Sequence, residues 1–493
     1  MSTPRPAPRT AAPPSPAGPR SGLAHHAIGT GELVFFVVAA AAPLTVTAGA
    51  APVAIGMAGP AAPLGYLLSG VLLIVFAAGF TAMSRYVRNA GAFYAYVGRG
   101  LGRATGVGAA YVALLSYNAI EVGLLAGLGR FAESALADLT GLPLAWWVWA
   151  LAGLVAIGVL GLLRVTLSAR VLGVALALEV LILLVFEAAV YAHGGGPDGP
   201  QFGALSPRHL GGAGVGGMFV LAVGAFVGFE ATALYAEEAR HPERSVPRAT
   251  CVAVGFLAVF YTFTVWTVVN AYGAGAAQAV ANGPGGTDMV FAATRRFAGA
   301  RAADAMQLLL VTSAFAATLA FHNGATRYFY ALGRERLLPR RLGTVTARTR
   351  SPAAAVVLQS ALALLVVLAT VLTGQDPYTV TFLWSNGTGI VGIMLLQALA
   401  ALAVVGFFRR DRRGLPAWQV VAAPLAACAG LAVLLVLVCR HFALLTNAPA
   451  GVNLALLVPL PLVFALGLAV ALRIRRRAPE AYDRLTTVDA ERG

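Results

Sequence analysis

One carboxylate lies in the middle of a long apolar segment of the sequence. Glu179 has alanine, leucine, valine and isoleucine on both sides within residues 168–192. A carboxylic acid buried in such surroundings holds its proton more tightly than one in water, so it can bind and release protons near neutral pH. Glu179 is therefore the first candidate for a proton carrier. The alternative is a permanently protonated glutamate that is hydrogen-bonded to a helix backbone.

Two adjacent hydroxyl groups lie in another apolar segment, at Thr312 and Ser313. Together with backbone carbonyls of the first apolar segment, they could ligate a sodium ion. The alternative is that each hydroxyl bonds to its own helix backbone, which is common for Thr and Ser in membrane helices. We rank sodium coupling at this pair below proton coupling at Glu179.

Further polar side chains lie within apolar segments, where they are costly and therefore candidates for function. Asn118 and Glu121 are three residues apart, so they share one face of a helix. They could line a substrate pocket or form a hydrogen bond between helices. Glu230 follows a glycine-rich stretch and is expected to hold unwound backbone in place. His322 and Asn323 could join a polar network or serve packing alone.

Two of the apolar segments contain residues that interrupt a helix. In the first, Pro43 and Pro52 each remove a backbone donor, and Gly49 loosens the chain between them. In the sixth, Gly224 and Gly228 fall near the middle. Interrupted backbone at membrane depth is tolerated only where it is buried in protein or lines a cavity. Glycine-interrupted segments at corresponding places in two halves of a chain are typical of a transporter site.

The interruptions supply binding groups without charged side chains. A half-helix that begins at mid-membrane directs free N–H groups and its positive dipole end at the cavity, whereas one that ends there directs free carbonyls. An anion and a cation can thus be held together, and a zwitterion such as an amino acid fits that pair. The alternative is that the small residues merely allow close packing of helices.

The composition places these segments in a membrane. The 493 residues are 59% hydrophobic and 11% charged, which is typical of a polytopic membrane protein and not of a soluble domain. The net charge of +15 lies in short loops between apolar segments, so it indicates membrane topology and not nucleic-acid binding. Cysteines and histidines show no metal-ligand or catalytic spacing. We therefore expect neither an enzyme nor a bound cofactor or metal.

The hydropathy pattern predicts an all-α integral membrane protein with twelve transmembrane helices. The first 24 residues, rich in proline, alanine, serine and arginine, are expected to form a disordered cytoplasmic tail. An amphipathic stretch, 288–297, is expected to form a short additional helix. The predicted spans are 33–57, 64–84, 106–137, 145–163, 168–192, 212–236, 250–273, 302–332, 352–373, 378–408, 417–439 and 452–474.

The arginines predict the orientation of the chain. All 35 basic residues are arginine. With both termini in the cytoplasm, 29 of them fall on the inner side and 6 on the outer side. Such an excess of positive charge inside is the usual determinant of topology. We therefore expect a multi-pass protein of the cell membrane whose basic loops contact lipid headgroups.

Three stretches of the sequence resemble the amino acid/polyamine/organocation (APC) family of secondary transporters, and the resemblance covers nearly all of the chain. They are residues 84–102, residues 226–249 and residues 327–339. The resemblance implies a leucine-transporter-type fold with two inverted five-helix repeats, at 33–192 and 212–408. Two extra helices at 417–474 and a cytoplasmic tail at 475–493 would follow. It also implies alternating access, in which a bundle of spans 1, 2, 6 and 7 moves against a scaffold of spans 3, 4, 8 and 9.

The resemblance also implies positions for substrate binding. Thr47, Ala48 and Gly49 match the small-residue break of the family's first span. The N–H groups of Ala48, Gly49 and Ala50 would then hold a substrate carboxylate. Carbonyls near Thr45, Gly224 and Val227 would receive the amine.

One departure from the family pattern affects the expected gate above the site. Gly224 stands where relatives often carry an aromatic gate residue, four positions before Gly228. Phe226 or Phe229 would then act as substitute lids, or the pocket would be roomier.

Together these observations predict a secondary active transporter for amino acids or related amines, with a proton as the coupling ion. Exchange of two solutes and sodium coupling are the alternatives within transport. A membrane sensor that retains the fold is the alternative outside it, although the two tails leave little room for a soluble signalling domain.

Overall fold

The computed structural model describes residues 29–87, 91–141, 143–163, 165–212, 214–234 and 239–486. Within these ranges the chain is built from helices joined by short turns, and it contains no β-strand. The predicted tail at 1–24 lies outside the described residues.

The first half of the chain begins with an interrupted helical segment. Helices α1 and α2 are separated by a wide π-helical turn at Thr45–Ala50. The helices of this half are α1 Thr30–Ala41, α2 Ala51–Ala58, α3 Ala62–Ser84, α4 Phe93–Leu101, α5 Arg103–Thr140, α6 Trp146–Leu162 and α7 Val165–Ala192.

The second half begins with a short helix, continues through a non-helical segment and then forms long helices again. The stretch 288–297 is a helix as predicted, at α12. The remaining helices are α8 Val215–Gly224, α9 Ala231–Leu234, α10 Pro242–Tyr272, α11 Ala277–Ala281, α12 Met289–Phe297, α13 Ala300–Arg334, α14 Ala353–Leu372, α15 Ser385–Phe408, α16 Ala423–Arg440, α17 Phe442–Thr446, α18 Ala450–Leu457, α19 Pro459–Arg477 and α20 Pro479–Arg484.

Eight helical segments among the described residues are long and apolar enough to cross a membrane, and two shorter apolar helices, α6 and α8, accompany them. Large apolar side chains such as Leu181, Val259 and Leu365 are exposed on the outward faces of α7, α10 and α14. An all-helical chain with an apolar exterior fits lipid, because a helix satisfies most of its backbone hydrogen bonds within its own segment. The architecture is therefore that of a multi-pass membrane protein.

Helix α5 is the central element of the molecule. It packs against α13, α15, α19 and α6, while α1 packs against α7, α10 and α13. This arrangement brings the interruption of the first apolar segment next to the middle of α7 and α13, the helices that carry Glu179 and Ser313.

The end of the described chain folds back onto α4 and α5. Arg103 Nη1 lies 2.9 Å from Asp483 Oδ1, and the Tyr94 hydroxyl donates to Glu335 and accepts from the N–H of Thr486. Burial, reinforced by the Glu335 carboxylate, raises the pKa of Tyr94 well above its usual range. The phenol therefore keeps its proton and remains a donor, and the last described turn is anchored to the helices.

Candidate functional site

The first interruption lies at Ala42, seven residues before the expected glycine. Helix α1 ends at Ala41, and Ala42 adopts a left-handed conformation with φ of 45°. Pro43 has no N–H to continue the helix. The expected break at Thr47–Gly49 is instead part of the π-helical turn. The first segment is interrupted in the predicted region: the helix ends just before Pro43, and Thr45–Ala50 forms a π-helical turn.

Two side chains from distant helices satisfy the N–H groups that this interruption frees. Leu44 N–H donates to Glu179 Oε2 over 3.3 Å, and Thr45 N–H donates to Ser313 Oγ over 3.2 Å. Ser313 Oγ in turn donates to Glu179 Oε2 over 2.7 Å. All of these hydrogen bonds are buried, so the broken backbone of the first segment is joined directly to α7 and α13.

All hydrogen-bonding positions of the Ser313 hydroxyl are occupied. A serine hydroxyl offers one donor and two acceptor positions. Ser313 donates to Glu179 and accepts from both Thr45 N–H and Thr45 Oγ1–H, the latter over 3.0 Å. The second carboxylate oxygen, Glu179 Oε1, is buried without a hydrogen-bond partner among the described residues. This carboxylate therefore has hydrogen-bond partners on one oxygen only.

Thr312 does not join this cluster. Its side chain is exposed on α13 and its hydroxyl donates to Leu309 O within the same helix. The two adjacent hydroxyls of the sodium hypothesis therefore point in different directions. Ser313 alone reaches the interrupted backbone.

The second interruption lies where the glycines of the sixth segment predict it. Between α8 and α9 the chain makes successive turns, and Gly228 has φ of 115°, which favours glycine. Glu230 Oε2 accepts from Gly228 N–H over 3.0 Å, and Glu230 Oε1 accepts from the Tyr117 hydroxyl over 3.1 Å. Glu230 thus holds the unwound backbone, as expected from the sequence.

A cavity of about 70 Å³ lies between the two interruptions. It is bordered by the C-terminal ends of α1 and α8 and by the first residues of the π-helical turn. The cavity is lined by Ala40, Ala41, Ala42, Thr45, Val46, Ala50, Ile120, Leu124, Leu221, Gly224, Ala225, Val227, Phe321, Phe382, Asn386 and Ile390.

Phe226 and Phe229 do not line this cavity. Phe226 packs edge-on against Tyr261, at 5.6 Å between ring centroids, and Phe229 packs against Phe76 at 5.8 Å. A Cβ atom added at Gly224 would overlap Ile390 Cδ1. The space beside Gly224 is therefore filled by Ile390, an aliphatic side chain of α15.

A second cavity of about 280 Å³ lies beyond an aromatic layer. Phe131, Tyr378 and Phe382 pack against one another in this layer, with ring centroids 5.3 to 6.2 Å apart. The Tyr378 hydroxyl donates to Gly49 O over 2.7 Å. Ala48 and Gly49 line this second cavity, so the expected carboxylate donors are divided between the two spaces, with Ala50 at the first.

Asn118 and Glu121 lie outside the lining of both cavities. Glu121 is fully buried and contacts His322 Nδ1 at 3.1 Å and Gln359 Nε2 at 2.8 Å. Asn118 Nδ2 donates to Leu114 O within α5. Glu121 therefore belongs to a polar cluster between α5, α13 and α14, which matches the alternative of a hydrogen bond between helices. Thr47 likewise bonds locally, through its hydroxyl to Pro43 O.

Sequence reasoning missed two polar residues at the site. Tyr261 donates its hydroxyl to Ala41 O over 2.7 Å and so satisfies a carbonyl at the end of α1. Asn386 lines the central cavity from α15. A tyrosine or an asparagine in an apolar segment carries little signal by itself. The spacing of Phe382, Asn386 and Ile390, four residues apart on one helix face, is the pattern that could have identified Asn386.

Interrupted helices around a small buried cavity define the class of a membrane permease, and the sequence comparisons agree. The chain matches the amino acid permease family over residues 32–482, and it belongs to that family. This is a family of transporters and not of enzymes.

Similar individual proteins include uncharacterized transporters of mycobacteria. One from Mycobacterium bovis is 29% identical over 313 residues, which are 58% of this chain and 63% of that protein. Two from Mycobacterium tuberculosis are each 31% identical over 232 residues, 43% of this chain and 48% of the relative. The matched regions thus span about half to two thirds of the relatives' length.

Proposed function

We propose that the protein is a secondary active transporter that moves amino acids or related amines across the cell membrane by alternating access, with a proton as coupling ion. The observation that carries the coupling is the hydrogen-bonded chain from Glu179 through Ser313 to Thr45. It links a buried carboxylate to the interrupted backbone beside the cavity.

The backbone around the cavity suits a zwitterion. The C-terminal ends of α1 and α8 present their negative dipole ends, and carbonyls near Thr45, Gly224 and Val227 would receive an ammonium group. The outer half of the first segment begins beside the same cavity, so its positive end would face a carboxylate. Carboxylate binding at Ala48, Gly49 and Ala50, and a contact of Asn118 or Glu121 with the substrate, remain predictions.

Protonation of Glu179 would loosen the hold of α7 and α13 on the first segment. The proton would bind Glu179 Oε1, the oxygen without a hydrogen-bond partner among the described residues. A neutral carboxyl group is a weaker acceptor than a carboxylate, so Oε2 would hold Leu44 N–H and the Ser313 hydroxyl less strongly. Proton binding and release would thereby change the contact between the moving bundle, which carries the interruption, and its surroundings.

The proposed topology has twelve spans in two inverted repeats of five plus two further helices, with both termini in the cytoplasm. One predicted span, 352–373, corresponds to the helix Ala353–Leu372. The distribution of arginines supports the orientation.

The test is uptake by purified protein in proteoliposomes, with a panel of amino acids and polyamines. We expect an imposed pH gradient, acidic outside, to drive accumulation of at least one amino acid in the absence of sodium. A strict sodium requirement without a pH effect would establish sodium coupling instead. Uptake that occurs only when the vesicles are preloaded with substrate would identify an exchanger. Binding of an amino acid without transport would favour a sensor.

A further inference from the structure

We propose that the central cavity selects small uncharged amino acids and that Asn386 favours a hydroxyl on the substrate side chain. This inference rests on the proposed transport function and names the substrate class of the same site. It predicts that serine is preferred over 2-aminobutyrate, which has a methyl group in place of the serine hydroxyl.

The chemistry of the cavity wall excludes charged side chains. Helices α5, α13 and α15 and the turn before α15 contribute one polar side chain to the cavity wall, Asn386. The other side chains that they contribute are apolar: Ile120, Leu124, Phe321, Phe382 and Ile390. None of the residues lining the cavity is acidic or basic. A guanidinium, an ammonium or a second carboxylate would be desolvated there without a counter-charge, which is strongly unfavourable.

The size of the cavity sets the second limit. A volume of 70 Å³ accommodates about five to seven water-sized groups. Alanine, serine and 2-aminobutyrate have about this number of non-hydrogen atoms. An aromatic amino acid would require displacement of Phe382 or Ile390 from the wall.

The orientation of Asn386 gives the cavity one unmatched acceptor. Asn386 Nδ2 donates to Phe382 O over 2.8 Å and faces Gly123, where an added Cβ would overlap it. The amide nitrogen is thus directed at its own helix and at α5. Asn386 Oδ1 has no hydrogen-bond partner among the described residues, so it can accept from a substrate hydroxyl. An analogue that lacks the hydroxyl leaves this acceptor unpaired in an enclosed site.

The position of Asn386 on its helix directs it to the substrate side chain. Phe382, Asn386 and Ile390 are spaced four residues apart, lie on one helical face and line the cavity. This face belongs to a different part of the chain from the interrupted segments that would hold the ammonium and carboxylate groups. The main chain and the side chain of the substrate are therefore recognised by different elements.

The experiment measures kcat/KM for serine, 2-aminobutyrate, arginine and tryptophan in proteoliposomes. Wild-type protein is expected to prefer serine to 2-aminobutyrate about tenfold and to transport neither arginine nor tryptophan. In Asn386→Leu the preference should fall to near unity while 2-aminobutyrate transport persists. Thr388→Val, which removes a hydroxyl on the same helix away from the cavity lining, should keep the wild-type preference.

Several outcomes would overturn the inference. A wild-type preference for arginine or tryptophan, or an unchanged serine preference in Asn386→Leu, would do so while leaving the proposed transport function intact. Absence of flux and binding for all amino acids would instead refute the transport function, and the inference with it. If Asn386→Leu fails to fold, the wild-type ranking of the four substrates still decides.

Discussion

Ser313 Oγ lies 2.7 Å from Glu179 Oε2, and the two side chains, 134 residues apart, hold consecutive N–H groups of the same helix interruption. This relationship joins three helices at the point where the first apolar segment is broken. The broken backbone, the hydroxyl and the carboxylate therefore behave as one hydrogen-bonded unit, and a change in the proton content of Glu179 must change the others.

Removal of the central hydroxyl is expected to damage this unit. Ser313→Ala leaves Thr45 N–H and Thr45 Oγ1–H without their buried acceptor, which should destabilise the protein by about 1–3 kcal/mol and reduce pH-driven uptake. Thr312→Val is the matched control, since that hydroxyl is exposed and bonds only to its own helix. Thermal melting in detergent and uptake in proteoliposomes measure both effects. Equal damage from the two substitutions would contradict the assigned role of Ser313.

The second interruption depends on the conformation of Gly228. Its φ of 115° strains any other residue, and an added Cβ would lie 2.9 Å from Ala40 Cβ. We expect Gly228→Ala to destabilise the protein by about 1–3 kcal/mol. The control is Gly255→Ala within helix α10, where nothing lies within 4 Å of the new methyl group. That change should be neutral or stabilising, as is usual for glycine to alanine in a helix. A Gly228→Ala protein that melts no earlier than the control would show that the segment is not constrained.

The close approach of Gly224 and Ile390 can be tested by a double-mutant cycle. Gly224→Ala should lower uptake, because the new Cβ overlaps Ile390 Cδ1 at the cavity wall. Ile390→Val removes that methyl group and should partly restore uptake in the double variant. Uptake rates of the four proteins give the coupling between the positions. Strictly additive losses would mean that the two residues do not meet in the working transporter.

Glu121 distinguishes a role in packing from a role in substrate binding. Glu121→Leu leaves His322 and Gln359 without their buried partner, so we expect a loss of about 1–3 kcal/mol in stability with the substrate ranking unchanged. Glu133→Leu is the control on the same helix, because its ion pair with Arg130 is partly exposed and should contribute less. Melting temperature and competition assays separate the two roles. An altered substrate ranking in Glu121→Leu would instead support its place in the substrate pocket.

Much of the fold follows from local properties of the sequence. The length of an apolar stretch and the residues that end it predict the bounds of helices such as α14 closely. The glycines of the sixth segment likewise predict the second interruption. The detailed geometry of the first interruption was not predictable. Both Pro43 and Gly49 weaken a helix locally, but the point where the helix ends also depends on Glu179 and Ser313, which accept from the N–H groups of Leu44 and Thr45.

The candidate site shows the same limit. Glu179 could be identified because a carboxylate in an apolar segment is costly wherever it faces. Thr312 and Ser313 could not be distinguished, since neighbouring residues on a helix point in directions that depend on its packing. Asn386 was missed because a neutral amide is tolerated in many membrane helices. Its significance depends on which face of α15 borders the cavity.

The most direct test of the account measures proton movement with substrate. Proteoliposomes loaded with a pH-sensitive dye are given a transported amino acid, and acidification of the lumen is followed for wild type, Glu179→Gln and Glu187→Gln. Glu187 is the control because it is the other buried carboxylate described on α7 and bonds to Thr264. We expect acidification with wild type and Glu187→Gln. Glu179→Gln should give none, although it still exchanges labelled for unlabelled substrate. Undiminished acidification with Glu179→Gln would contradict the account.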